Sequence, residues 1–189
     1  MSRFVPAALL VALTGAALSA TVVVPADFRQ IVSASTVIVR GHVTDVRGVV
    51  LPGGGIDSVI TVAIDSVLKG QADGFVSVRV PGGEVGRTRM VMIGAPAFKV
   101  SQAAVFFLSP GPDNTLRPVG LSAGVYRVEA DPATGGPVVA PPVVSGQTAS
   151  AGRVVRGDVR RKLMPVQEFE SLVKLVVTAP KAVPRGGGR

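Results

Sequence analysis

The central part of the chain alternates apolar and polar positions with the period of two that is typical of β-strands. Segment 36–51 is dense in β-branched residues, and segment 56–68 repeats the pattern after the turn at 52–55. Two long strands joined by a short glycine-rich turn predict a β-hairpin. Because Gly41 and Gly48 interrupt the first strand, we expect a bulge or a bend at these positions.

Shorter segments of the same kind follow, separated by turns rich in glycine, proline and aspartate. They predict strands at 75–80, 87–93, 103–108, 115–120 and 124–129, and a short edge strand at 138–140. About seven short strands with frequent turn signals are typical of a small barrel or sandwich. Because strands this rich in valine need covered edges, we expect a mainly β protein that forms a small closed or partly open barrel.

Two helices are predicted to flank the barrel. Phe28, Ile31 and Val32 share one face of a short helix within 25–35. A second helix is predicted at 165–177, and its apolar stripe consists of Phe169, Leu172, Val173 and Val176. We expect this stripe to pack on the barrel.

These elements divide the chain into five parts. The expected order is a signal peptide at 1–20, a barrel domain at 21–140, a linker at 141–164, the C-terminal helix at 165–177 and a disordered basic tail at 178–189. The linker is rich in proline and glycine at its start and basic towards its end.

The N-terminal segment predicts the location of the protein. One positive charge, Arg3, precedes an uncharged stretch that runs from Phe4 to Ala26, and small residues follow its apolar part. This pattern is typical of a secretory signal, which we expect to be cleaved after Ala20. The alternative is an inner-membrane anchor formed by residues 4–24, because the uncharged run is long enough to span a bilayer. Both interpretations place the remaining chain in the periplasm or outside the cell.

The chain carries twenty lysines and arginines against twelve acidic residues, a net charge of +8. Most of this excess lies after residue 150, and its densest part consists of Arg153, Arg156, Arg160, Arg161 and Lys162. These residues form a candidate binding site for phosphate, anionic lipid or another polyanion. The alternative is a solvated basic segment that keeps a nearly neutral barrel soluble.

The residue inventory argues against catalysis. Without cysteine the chain has no thiolate nucleophile and no cysteine-based zinc site, and one histidine excludes motifs with two histidines. We expect that histidine, His42, to be exposed or hydrogen-bonded in a structural role, beside apolar or threonine neighbours. Asp57 and Asp65 are eight residues apart on the second strand, about 26 Å, which is too far for an acid/base pair. The glycine-rich turns lack the residues of a phosphate-binding loop. The sequence therefore predicts neither an enzyme nor a cofactor.

Nucleic-acid binding is not expected either. A barrel that binds single strands presents exposed aromatic side chains on which bases stack. Aromatic residues make up 4% of this chain, and four of them are expected in the core because of their apolar surroundings, namely Phe75, Phe98, Phe106 and Phe107.

Several segments resemble a family of exported bacterial β-barrel domains. They are 35–46, 67–70, 76–84, 94–98, 105–108 and 119–122. The resemblance extends over about 27–177, and the hairpin pattern is similar to the oligonucleotide/oligosaccharide-binding (OB-like) barrels of netrin-like modules and tissue inhibitors of metalloproteinases. It implies a barrel flanked by two helices, and it implies an exported matrixin-like metalloprotease as the partner. It carries over no catalytic residue, and the chain lacks the N-terminal cysteine through which those inhibitors ligate zinc.

The sequence thus predicts an exported, non-enzymatic module that binds a protein partner. The alternative is a protein that binds anionic surfaces through 153–162. A third interpretation, less favoured, is a hydrolase whose site the sequence does not reveal.

Overall fold

The computed structural model describes residues 28–142 and 163–179, together with the backbone of two short strands at 145–147 and 154–156. The described chain is mainly β-strand. Its strands are β1 Val37–Val50, β2 Ile56–Lys69, β3 Phe75–Pro81, β4 Gly83–Val85, β5 Thr88–Met90, β6 Ala103–Pro110, β7 Leu116–Pro118, β8 Val125–Ala130, β9 Pro137–Ala140, β10 Ser145–Gln147, β11 Val154–Arg156 and β12 Met164–Pro165. Its helices are α1 Phe28–Ala34 and α2 Val166–Thr178, with a 3-10 turn at Leu121–Gly124.

Five strands close a barrel. The order is β1-β2-β3-β7-β6, and β6 pairs back with β1. These pairs are antiparallel except for β3 and β7, which run parallel and meet at Val78 and Leu116. Strands β8, β9 and β12 extend the sheet from β6. The predicted closed barrel with two flanking helices is therefore confirmed.

The predicted hairpin is the longest pair of strands. Strands β1 and β2 pair from Ile38–Lys69 to Val50–Ile56, and the Leu51 amide donates to the Gly55 carbonyl in the turn at 2.7 Å. The register shifts beside Gly41, where a Cβ atom would overlap the backbone oxygen of Ala63. At Gly48 a Cβ atom would overlap the Glu84 carbonyl, because β4 packs directly against β1. Both glycines thus allow close backbone approach. The expected bulge is present beside Gly41, whereas the register is continuous through Gly48.

One apolar core fills the barrel. It consists of Val39, Val43, Ile60, Val62, Val76, Val78, Val80, Ala104, Phe106, Leu108 and Val125. The ring of Phe98 stacks on that of Phe106 with centroids 5.8 Å apart. Because these residues alternate with outward-facing ones along each strand, the period-two pattern read from the sequence defines this interior.

A second core lies between the barrel and the two helices. Its aromatic centre is formed by Phe28 of α1, Phe107 of β6, Tyr126 of β8 and Phe169 of α2. The predicted apolar stripe of α2 faces this core, with Phe169 and Val173 buried and the other two residues partly buried. Among the described residues, no helix has the length and apolar character needed to cross a membrane.

Two further expectations from the sequence are wrong. Phe75 is 65% exposed rather than part of the core, because Val76, Val78 and Val80 point into the barrel and Phe75 therefore points outward. The strand predicted at 87–93 ends at Met90, and Val91–Ile93 form an exposed part of the connection to β6. An apolar run alone does not specify a strand when no partner strand is available to pair with it.

Candidate ligand-binding site

The outer face of β1, β2 and β3 places polar side chains in rows across three strands. Arg47 pairs with Val59, and Val59 pairs with Arg79, so the two arginines flank the middle strand. Residues directly opposite in antiparallel strands project to the same side of a sheet. Since neighbouring strands are about 4.8 Å apart, the backbones of Arg47 and Arg79 are about 10 Å apart. Ser77 lies in the adjacent row of the same face.

A pocket of about 400 Å³ opens between these arginines. Its lining consists of Arg47, Val49, Val59, Ser77, Arg79 and Thr115. The first five belong to β1, β2 and β3, whereas Thr115 lies in the loop that joins β6 to β7. The pocket lies midway between an enclosed cavity and a flat surface, so it is a shallow depression on the outer face of the sheet.

Asp113 fixes the wall of the pocket. Its carboxylate accepts hydrogen bonds from the Thr115 hydroxyl at 2.6 Å and from an Arg79 NH group at 2.7 Å. Arg117 approaches the same oxygen as Arg79 does, at 3.3 Å. The Thr115 hydroxyl, followed by the backbone bonds and Arg117, holds the pKa of Asp113 well below its usual range. The carboxylate is therefore ionised at neutral pH, and it orients Arg79 beside the pocket.

Asp57 lies in the row next to the arginines, and it is buried with only 4% of its surface exposed. Its nearest ionic partner is Arg117, whose NH2 group is 3.5 Å from Asp57 Oδ2. Within the described residues, three buried atoms of this cluster have no hydrogen-bond partner, namely Asp57 Oδ2, Arg79 Nε and Arg117 Nε. Arg117 offsets the charge of Asp57 and the Asp113 carboxylate offsets that of Arg79, so this cluster is a network of ion pairs beside the pocket.

Arg47 differs from Arg79 in its electrostatic surroundings. It is exposed, and no described residue forms an ion pair with its guanidinium group. A guanidinium group presents five N–H donors in a planar arrangement that fits carboxylate and phosphate oxygens. One side of the pocket thus carries an arginine oriented by Asp113, and the other carries an arginine whose charge is available to a ligand.

A second polar cluster joins α2 to the barrel. Arg40 of β1 donates to Glu170 of α2 at 2.7 Å and to Asp65 of β2 at 3.0 Å. Asp65 also lies 3.2 Å from Nδ1 of His42, whose side chain is 47% exposed. The sequence therefore described the exposure of His42 correctly but missed its acidic neighbour, which the register of the hairpin brings close.

The basic residues proposed from the sequence lie almost wholly outside the described residues. This holds for Arg153, Arg160, Arg161 and Lys162, and Arg156 is described only as the last backbone position of β11. Their role in anion binding stays a prediction.

The pocket residues were not identified from the sequence, although part of the signal was present. Alternation on β3 places Ser77 and Arg79 on one face. Counting back from the turn predicted at 52–55 would place Arg47 opposite Ile60, whereas the observed loop has five residues between Val50 and Ile56 and places Arg47 opposite Val59. Nothing in the sequence brings Thr115 to these strands, because its position depends on closure of the barrel.

The fold and the pocket define the class to which this chain belongs. It is a closed, mixed β-barrel compatible with an OB-like barrel, in which one face of the first three strands carries a polar pocket. Neither a model of a known protein family nor a curated protein matches the chain.

Proposed function

We propose that this chain is an exported, non-enzymatic binding module whose ligand occupies the pocket between Arg47 and Arg79. The observation that carries the proposal is the row formed by these arginines and Val59, over which the pocket opens. OB-like barrels use the same face of their second and third strands to bind ligands, which supports this choice of surface.

The chemistry of the pocket favours an acidic group on a protein partner. Val49 and Val59 provide apolar contact, Ser77 and Thr115 provide hydroxyl groups, and Arg47 provides a positive charge that no described residue neutralises. A carboxylate accepts paired hydrogen bonds from a guanidinium group, and such charged hydrogen bonds are stronger than neutral ones. A glutamate or aspartate side chain on a surface loop of the partner meets these requirements.

The resemblance found in the sequence suggests the class of that partner. The family that the sequence resembles implies an exported matrixin-like metalloprotease as the partner, and we propose such an enzyme as the protein that is bound. The chain has no cysteine with which to ligate zinc. Binding through the arginine pocket would therefore occur away from the metal of the enzyme, in contrast to the chemistry of the metalloproteinase inhibitors.

The test is a titration of the ¹⁵N-labelled protein, followed by NMR, with a short polyglutamate peptide and its polyglutamine counterpart. We expect polyglutamate to shift the amide signals of Arg47, Ser77, Arg79 and Thr115, and polyglutamine to leave them unchanged. Arg47→Gln should weaken binding about tenfold or more, because a hydrogen bond to a charged group contributes about 1.5–3 kcal/mol.

A matched control is Lys174→Gln, which removes one positive charge from the exposed surface of α2. It should bind polyglutamate as the unmodified chain does. Equal weakening in Lys174→Gln and Arg47→Gln would show that only the net charge matters, and the pocket would then not be the binding site.

A further inference from the structure

The connection from β5 to β6 presents a continuous apolar surface to solvent. Val91, Met92 and Ile93, here called the apolar tip, are 73%, 42% and 86% exposed. Strongly exposed apolar side chains elsewhere in the described chain, such as Phe75 and Leu175, occur singly. Single exposed apolar residues are ordinary in soluble proteins, whereas a contiguous group indicates an interaction surface.

Hydrogen bonds on both sides hold the apolar tip in this position. Before the tip, the sulfur of Met90 accepts a hydrogen bond from the Ile56 amide at 3.3 Å. After the tip, the Gly94 carbonyl accepts bonds from the amide and the hydroxyl of Ser122 at 3.1 and 2.7 Å. Further along, Arg127 donates to the Ala97 carbonyl at 3.0 Å. The tip is therefore presented by an anchored loop.

Basic residues flank the apolar tip along the chain. Arg87 and Arg89 lie on the β4–β5 hairpin just before it, and Lys99 follows it. All three are exposed, and none forms an ion pair with a described residue. Glu84, which faces Arg89 across the hairpin, is the one acidic residue between 82 and 102. This segment carries three basic residues and one acidic residue, which leaves a net positive charge.

We propose that the apolar tip inserts into the interfacial region of an anionic lipid bilayer, with Arg87, Arg89 and Lys99 contacting the headgroups. Charge complementarity favours an anionic surface, and the size of the surface favours a bilayer over a protein. A stable protein interface uses about 20–30 residues on each side, far more than the tip provides. Shallow insertion of a few apolar side chains gives weak, reversible membrane binding when basic residues beside them are attracted to anionic lipid, because the two contributions add.

This membrane site differs from both the arginine pocket and the basic segment 153–162. It predicts weak, reversible and salt-dependent binding, because basic residues contribute through the surface potential, which salt screens. Binding at this site also requires that the side chains of the apolar tip enter the bilayer, because electrostatic attraction alone would not distinguish it from 153–162.

The chain contains no tryptophan, so one introduced tryptophan reports on its own surroundings. In the exported protein, Ile93→Trp should fluoresce at shorter wavelength, and be quenched by brominated lipid, when vesicles contain phosphatidylglycerol. Vesicles of phosphatidylcholine alone should cause neither change. Leu175→Trp is the matched control at an exposed apolar position of α2 and should report no insertion. An equal response at both positions, or none at Ile93→Trp, would overturn the proposal.

Sedimentation with the same vesicles measures how strongly the protein partitions from water to the lipid. The double variant Val91→Ser/Ile93→Ser and the double variant Arg87→Gln/Arg89→Gln should each lower partitioning about tenfold, and about 1 M salt should remove most binding. Circular dichroism melts confirm that these surface variants fold. Unchanged partitioning of the serine variant would assign binding to another part of the chain, such as 153–162, and would refute insertion of the tip.

Discussion

The packing of α2 on the barrel can be tested by removing one ring, with the change Phe169→Ala. Phe169 is 2% exposed, and its ring centroid lies 5.7 Å from Phe28, 6.4 Å from Phe107 and 5.1 Å from Tyr126. Truncating a buried phenylalanine to alanine costs about 3–5 kcal/mol, because apolar contact is lost and a cavity remains. Domains of this kind have a free energy of unfolding of about 5–15 kcal/mol, so the variant should lose a large fraction of its stability.

The assay is urea denaturation monitored by far-ultraviolet circular dichroism and by the fluorescence of Tyr126. Tyr126 is the single tyrosine of the chain and lies in the same aromatic cluster, so its signal reports on the site directly. We expect a lower urea midpoint with an unchanged slope, and a melting temperature lower by about 6–20 °C, from about 2–4 °C per kcal/mol.

The control is Leu175→Ala on the same helix, where the side chain is 64% exposed. It should change the free energy of unfolding by no more than about 0.5 kcal/mol. If Phe169→Ala unfolded at the midpoint of the unmodified chain, α2 would lie outside the cooperative unit and the second core would contribute nothing to stability. If α2 of the unmodified chain unfolded in a separate, earlier transition, that result would also show that α2 lies outside the cooperative unit.

Three further predictions concern other parts of the chain. The pKa of Asp113 is lowered, first of all by the Thr115 hydroxyl, so its carboxylate stabilises the folded state above the unfolded-state pKa of about 4. The unmodified chain should therefore have a higher urea midpoint than Asp113→Asn above about pH 4, and the two midpoints should converge as the pH falls from there towards the folded-state pKa. His42→Asn should keep the melting temperature and any hydrolase activity, whereas an equally folded variant that lost about 10²-fold or more of an activity would identify a catalytic imidazole. Mass spectrometry of protein recovered from the periplasm or the medium should find its first residue within two positions of Thr21; a membrane-bound chain that retains residues 4–24 would instead support the anchor.

The strands and helices could largely be predicted from local pattern. Alternation placed β1, β2 and β3 within a residue or two of their observed bounds, and the stripe of α2 identified Phe169 and Val173 as buried. These predictions succeed because side-chain direction repeats every two residues in a strand and every 3.6 residues in a helix, whatever the element packs against. The same alternation, applied strictly to β3, would have placed Phe75 outside the barrel.

The candidate site could be predicted only in part. The hairpin register relates Arg47 to Val59, and it also relates His42 to the end of β2 near Asp65. A register shift at Val43–Asp45 separates His42 from the turn, and another falls at Asp65, so the position of His42 near Asp65 could not be counted from the turn. Arg47 lies between the turn and these shifts, and its pairing with Val59 depends on a loop of five residues rather than the predicted four. The rows of the outer face therefore required the tertiary structure.

The sequence by itself determined the alternation of buried and exposed positions, and with it a valine-rich barrel flanked by two apolar-faced helices. Only the tertiary structure decided that β7 returns to lie parallel to β3, which brings Asp113 and Thr115 beside Arg79 and shapes the pocket. It also decided that the apolar run after Met90 finds no partner strand and remains in solvent. The physical reason is the same in both cases, because contacts between segments distant along the chain depend on barrel closure, which no local pattern records.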